Sequence, residues 1–158
     1  MGAILASEGV RKPVQPRGPS NGDKPFVRAG RPITFLVVED EALIALDIEA
    51  MVREAGGRPL SLAATADEAE KLATVLEPDI ILMDVRLKGP RDGIAAAHAI
   101  RARRDVPIVF VTGNEESTTL ERIRVFNGTA PVGKPVRATA LISAVLAALR
   151  DGGSGPVH

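Results

Sequence analysis

Four points along this chain set an acidic, hydroxylic or cationic side chain at or just past the end of a short apolar run. Glu39 and Asp40 follow Ile33-Thr34-Phe35-Leu36-Val37-Val38, Asp84 follows Ile80-Ile81-Leu82-Met83, Thr112 follows Val109-Phe110-Val111, and Lys134 comes after a weaker run ending at Val132. Three carboxylates brought into one crevice repel each other, and a bound cation resolves that cost. Hard oxygen donors suit Mg2+, which keeps octahedral oxygen coordination with one or two carboxylates, some waters and a phosphoryl oxygen. Asp40 and Asp84 are the candidate ligands, with Glu39 in support and the backbone carbonyl of Arg86 as a further donor. Asp84 stands alone at the end of its run, which suits a carboxylate nucleophile that forms an acyl phosphate. The Lys134 ammonium and the Thr112 hydroxyl would cradle the transferred group by donating to its oxygens.

Taken singly, each residue has a plainer use. Strand-end carboxylates often cap the next helix, a Thr there is often a strand residue, and a Lys is usually solvated. The chemistry therefore depends on elements that bring the four points together. Ile33–Val38 reads as a strand buried on both faces, and Leu43, Leu46, Ile48, Met51 and Val52 then recur at helical spacing until Gly56-Gly57. The alternation continues with a weak strand at Arg58–Ala63, a helix at Asp67–Leu76, a strand at Asp79–Met83 and a helix at Gly93–Arg103. Val106–Val111 is the next strand, Glu115–Val125 a helix, Thr129–Val132 a short strand and Ala138–Leu149 the last helix. Such α/β alternation predicts a parallel sheet with right-handed crossovers and helices on both faces, its ligand site outside the carboxyl ends of the strands. All four points fall on that edge.

The rest of the chain narrows the options. The 158 residues, 45% of them hydrophobic, suffice for one domain with a real core, and the absence of cysteine excludes disulfides, thiolate zinc sites and a cysteine nucleophile. No apolar run approaches the roughly 20 residues of a membrane span, and no secretory leader is seen, so a cytoplasmic protein is expected. Residues 1–32 carry five prolines, five glycines and six basic residues against Glu8 and Asp23, and are expected to form a disordered tail. Residues 33–150 form the expected domain and 151–158 a flexible C-terminus. With the tail set aside, the remainder is net acidic, which gives no footprint for nucleic acid and none for a membrane.

Glu39-Asp40, Asp84, Thr112 and Lys134-Pro135, in that order and spacing, resemble the receiver-domain signature of two-component response regulators over roughly residues 33–149. The resemblance implies a flavodoxin-like (βα)5 doubly wound parallel sheet of order 2-1-3-4-5 with a cis peptide between Lys134 and Pro135. It implies Asp84 as phosphoacceptor, Glu39 and Asp40 as Mg2+ ligands, Thr112 as the residue coupling phosphorylation to loop movement, and Lys134 as partner of the phosphoryl group. A histidine kinase or phosphotransfer protein would be the donor, with a downstream protein target and a homodimer as further partners. Asp92-Gly93 resembles the family's turn into its third helix. The segment Pro107-Ile108-Val109-Phe110-Val111-Thr112-Gly113-Asn114 is similar to the Phe-Ala-Thr-Gly-Tyr motif of a mostly alphaproteobacterial subgroup, with Asn114 in place of Tyr.

Two departures bear on output. Three positions before the Lys the family often has an aromatic residue that swings on phosphorylation, and here Pro131 occupies it. Arg86 and Asn114, two residues past the acceptor and the Thr, stand where the family tunes acyl-phosphate hydrolysis, so an altered lifetime is expected. The expected function is a stand-alone receiver that signals by phosphorylation-dependent protein binding or drains its kinase, rather than an enzyme acting on other substrates. Two alternatives remain. One is a receiver-like docking module that takes no phosphate. The other is an Asp-nucleophile phosphatase, whose family wants a second Asp two residues on, where Arg86 stands.

Overall fold

Apolar, β-branched runs form strands that hide both faces, and here they do so almost completely. In the computed structural model, which describes residues 24–113 and 116–151, the chain runs β1 (Val27–Arg28), β2 (Arg31–Pro32), β3 (Thr34–Val38), α1 (Ala42–Glu54), β4 (Arg58–Ala63), α2 (Ala66–Leu76), β5 (Ile80–Asp84), α3 (Gly93–Arg103), β6 (Ile108–Thr112), α4 (Ser117–Asn127), β7 (Val132–Gly133) and α5 (Ala138–Asp151). Every residue of β5 and β6 is buried. The five-stranded sheet has the order β4-β3-β5-β6-β7, with all pairings parallel. Counting only these strands, that is 2-1-3-4-5, the flavodoxin-like arrangement expected. The order reverses between β3 and β5, and a crevice opens there at the carboxyl ends.

Alternation along the strands feeds two cores. Leu36, Val38, Ile81, Met83, Ile108 and Phe110 point to the layer of α2, α3 and α4, where Ala69, Ala73, Ala96 and Ala97 let the helices lie close to the sheet. Phe35, Val37, Leu82, Val109 and Val111 point to α1 and α5, against Ile48, Val52, Leu141 and Val145. Each fully buried Val, Leu, Ile or Phe stabilises this sandwich by about 1.5–3 kcal/mol relative to exposure.

Three expectations are corrected. Leu43 and Leu46 are not part of the buried stripe: they are 80% and 54% exposed, while Ala45, Ile48 and Val52 face the sheet. At about 100° per residue, Leu43 and Leu46 lie about 140° and 160° round the helix from Ile48, so apolar character alone mislocated the face. The ordered region also begins before residue 33. Residues 24–32, expected in the tail, form a hairpin in which β1 and β2 pair antiparallel. Phe26 there is fully buried, its ring 5.0 Å from that of Phe35, and its N–H donates to the Ala55 carbonyl at 2.8 Å. A single aromatic among prolines and glycines leaves no periodic trace to read. Finally, the last strand is Val132–Gly133 rather than Thr129–Val132, since Pro131 has no N–H to donate to a ladder. Residues 1–23 of the expected tail, 152–158 of the expected C-terminus, and Asn114 and Glu115 lie outside the described residues.

Candidate functional site

The register of the sheet sets each polar residue in place. Glu39 leaves β3 with its N–H donating to the Ala63 carbonyl of β4 at 2.8 Å. Asp84 and Thr112 are the last residues of β5 and β6, and Asp84 pairs with Val111. Thr112 pairs with Gly133, and its carbonyl accepts from the Lys134 N–H at 3.1 Å, so the lysine enters directly beside the threonine. The peptide joining Lys134 to Pro135 is cis. Behind Asp84, α3 begins unusually close: the Gly93 N–H donates to the Val85 carbonyl at 2.7 Å, and a Cβ at Gly93 would collide with the Asp84 backbone carbonyl. Asp92 caps that helix by accepting from the Ala95 N–H at 2.8 Å.

The result is a buried charged cluster. Glu39, Asp84 and Thr112 are each about 95% buried, at 4%, 4% and 5% exposure, while Asp40 is half-buried. The Lys134 Nζ lies 3.1 Å from Asp84 Oδ2 and 2.8 Å from Glu39 Oε2. Glu39 Oε1 accepts from the Glu41 N–H at 3.2 Å, and Asp84 Oδ1 from the Arg86 N–H at 3.3 Å. Burial raises the pKa of Glu39 above the usual carboxylate range, and the Asp84 charge adds to that. The Lys134 ammonium and the Glu41 N–H oppose the rise without cancelling it. Burial alone would depress Lys134, but the close carboxylates of Glu39 and Asp84 outweigh that and hold the ammonium above its ordinary value. Asp40, Asp84, Arg86, Thr112 and Lys134 line an open cavity of about 750 Å³.

This donor set fits a divalent cation. Carboxylate oxygens of Glu39, Asp40 and Asp84 lie within 4.8 Å of one another. Glu39 Oε2 is fully buried and takes no aligned hydrogen bond, its contact with Lys134 being an ion pair only. One ammonium cannot balance three carboxylates, and an all-oxygen group of this kind suits Mg2+. Glu39, Asp40 and Asp84 would hold the ion.

Glu39, Asp40, Asp84, Thr112 and Lys134 converge at the crevice. The Arg86 N–H bonds Asp84, while its side chain, 74% exposed, lies 3.7 Å from Glu116 at the rim of the same crevice. Asn114 lies outside the described residues. In the sequence Gly93 signals only a turn; its close approach to the acceptor's backbone becomes visible only in three dimensions. A second cavity of about 460 Å³, lined mostly by apolar side chains such as Ile108, Phe110, Phe126 and Ala148, lies between β6, α4 and α5, where the two-residue β7 leaves the sheet edge uncovered. It lacks a convergent set of carboxylates.

Residues 35–146 match the family model described as response regulator receiver domain. The chain is similar to the transcriptional regulatory protein PdtaR of Mycobacterium tuberculosis, 38% identical over 117 residues, which is 74% of this chain and 57% of that protein. It is also similar to the phyllosphere-induced regulator PhyR of Methylorubrum extorquens, 34% identical over 114 residues, 71% of this chain and 43% of that protein. The chain thus spans about half the length of the curated relatives it matches. Among solved structures, the solution NMR structure of the Erythrobacter litoralis PhyR response regulator REC domain superposes with a TM-score of 0.66 at 28% identity, covering 80% of this chain and 96% of that one.

Proposed function

The chain belongs to the response regulator receiver domain family of two-component signalling, and on that premise we propose that it accepts a phosphoryl group onto Asp84 from a histidine kinase or phosphotransfer protein. The observation that carries this reading is the buried triad of Asp84, Glu39 and Lys134, in which one ammonium bridges the acceptor and a neighbouring carboxylate. An Asp84 Oδ attacks the phosphorus of a phosphohistidine; the new O–P bond forms as the N–P bond breaks, and the electron pair returns to the imidazole, which leaves with a proton from solvent. Glu39, Asp40 and Asp84, with the Arg86 carbonyl, would hold Mg2+, which when bound neutralises the carboxylates and draws charge from the phosphoryl oxygens. Lys134 shifts its ion pair from the Asp84 carboxylate to a phosphoryl oxygen, and the Thr112 hydroxyl donates to another.

In this reading the protein is a cytoplasmic switch rather than an enzyme acting on other substrates. Among the described residues no helix is long and apolar enough to cross a membrane. Phosphorylation would alter affinity for a downstream protein or a second copy, or drain the kinase, by as much as the phosphate contacts differ between two conformations. The test is intact mass after incubation with phosphoramidate, with and without Mg2+. A metal-dependent phosphoryl adduct is expected in wild type and not in Asp84→Asn. A folded wild type that takes no adduct with Mg2+ present would overturn the reading in favour of a docking module.

A further inference from the structure

Pro131 removes the aromatic side chain that the family commonly uses to carry the signal, so the route out of the site must run through other contacts. Helix α4 is the element closest in sequence to Thr112, and while Ile123, Phe126 and Asn127 anchor its C-terminal half, its N-terminal half packs lightly: before Ile123 only Thr119 is buried, and its N-cap Glu116 makes no side-chain cap bond. What fastens α4 to the site is polar. The Arg122 guanidinium donates to both oxygens of Asp92, at 2.8 Å to Oδ2 and 3.3 Å to Oδ1. Asp92 is also the N-cap of α3, and the next residue, Gly93, lies directly against the Asp84 backbone. A bidentate fork therefore ties the middle of α4 to the end of the loop that follows the phosphoacceptor.

We propose that Arg122, acting through Asp92, is a positioning residue that restrains α4 in the unphosphorylated state and so slows phosphoryl acceptance at Asp84. The proposal rests on the receiver reading of the site. Only residues 113–116 separate Thr112 from the first turn of α4, so closing the Thr112 hydroxyl onto a phosphoryl oxygen pulls on that helix. A latch further along α4 opposes the pull. By reciprocity of free energies, whatever the latch subtracts from the stability of the phosphorylated state, phosphorylation subtracts from the latch. Because the pair is partly exposed, its effect is bounded at about two- to fivefold in rate.

The test uses the full chain with phosphoramidate and Mg2+, following adduct formation by intact mass and amide exchange over residues 117–127. The variants are Arg122→Ala, Asp92→Asn and the double. Asparagine keeps the α3 cap while removing the charge that the fork grips. Each single variant should accept phosphoryl about two- to fivefold faster than wild type, and the double no faster than either single, since all three remove one interaction. Exchange in α4 should rise before any phosphodonor is added, and Arg122→Lys should restore part of the restraint. Unchanged rates in both singles, slower acceptance, or additive effects in the double would overturn the proposal while leaving the receiver reading intact. A wild type that forms no adduct would overturn that reading and this proposal with it.

Discussion

The same five strands end in two very different ways. At their carboxyl ends the chain buries Glu39, Asp84 and Thr112 beside Lys134, with one cation set against several carboxylates. At their amino ends, on the α1/α5 side, it seals the sheet with hydrocarbon: Phe26 from the β1–β2 hairpin packs on Phe35, and Ile33 and Ala55 close around it. One end gives up stability to hold charge where a ligand can use it, as the raised pKa of Glu39 records. The other has no evident chemistry and contributes cohesion. Stability and function are thus separated along the strand axis, by roughly the 17–20 Å length of a strand.

That separation can be broken from either end. The largest effect is expected from Phe26→Ala, which should lower unfolding free energy by about 3 kcal/mol or more, read from denaturant titration, while phosphoryl acceptance per folded molecule stays at the wild-type level. Gly93→Ala should strike the chemical end as well as stability. Its Cβ would push against the Asp84 backbone carbonyl, and acceptance should fall on the order of tenfold to a hundredfold because the nucleophile is displaced, measured as the initial rate of adduct formation.

Glu39→Gln should sharpen the contrast further. Removing a buried charge whose pKa is raised by desolvation should increase the melting temperature of the metal-free protein, and Mg2+ affinity should drop about 10- to 100-fold, as calorimetric titration would show.

The smallest effect is a pH dependence. Because the folded pKa of Glu39 is raised above its ordinary value, its contribution to stability is fully present below about pH 4.5 and is lost as pH rises through the folded pKa. The stability gap between Glu39→Gln and wild type should therefore narrow as pH falls from 7 toward 4.5, without Mg2+. Saturating Mg2+ should reverse the order at neutral pH, since the ion requires the ionised carboxylate. Melting curves of both proteins across that range would check the sign.

Much of the chemical end was legible in the sequence because it is written in local signals. Strands buried on both faces read as continuous apolar runs, so a charged residue at the end of such a run stands out, and the β–α alternation fixes on which edge these residues meet. Asp84, Thr112 and Lys134 were found in this way, and the geometry brings them together with Glu39 and Asp40. The sealed end was not legible. Phe26 sits in a segment whose prolines and glycines signal disorder, and contacts distant in sequence, its ring on Phe35 and its N–H to the Ala55 carbonyl, help to order it. The face of α1 is not legible either, because exposed Leu43 and Leu46 imitate a buried stripe, whereas the buried Ala45 carries little hydrophobic weight. The Arg122–Asp92 fork was invisible because nothing in residue type distinguishes it from two solvated charges 30 residues apart.

The most direct measurement is chemical localisation of the adduct. Wild-type protein treated with phosphoramidate and Mg2+ would be reduced with borohydride, which converts an acyl phosphate to an alcohol, then digested and sequenced by mass spectrometry. Phosphoryl transfer to Asp84 predicts homoserine at residue 84 alone, lost when Mg2+ is chelated. Homoserine at any other position, or an adduct that resists reduction, would contradict it.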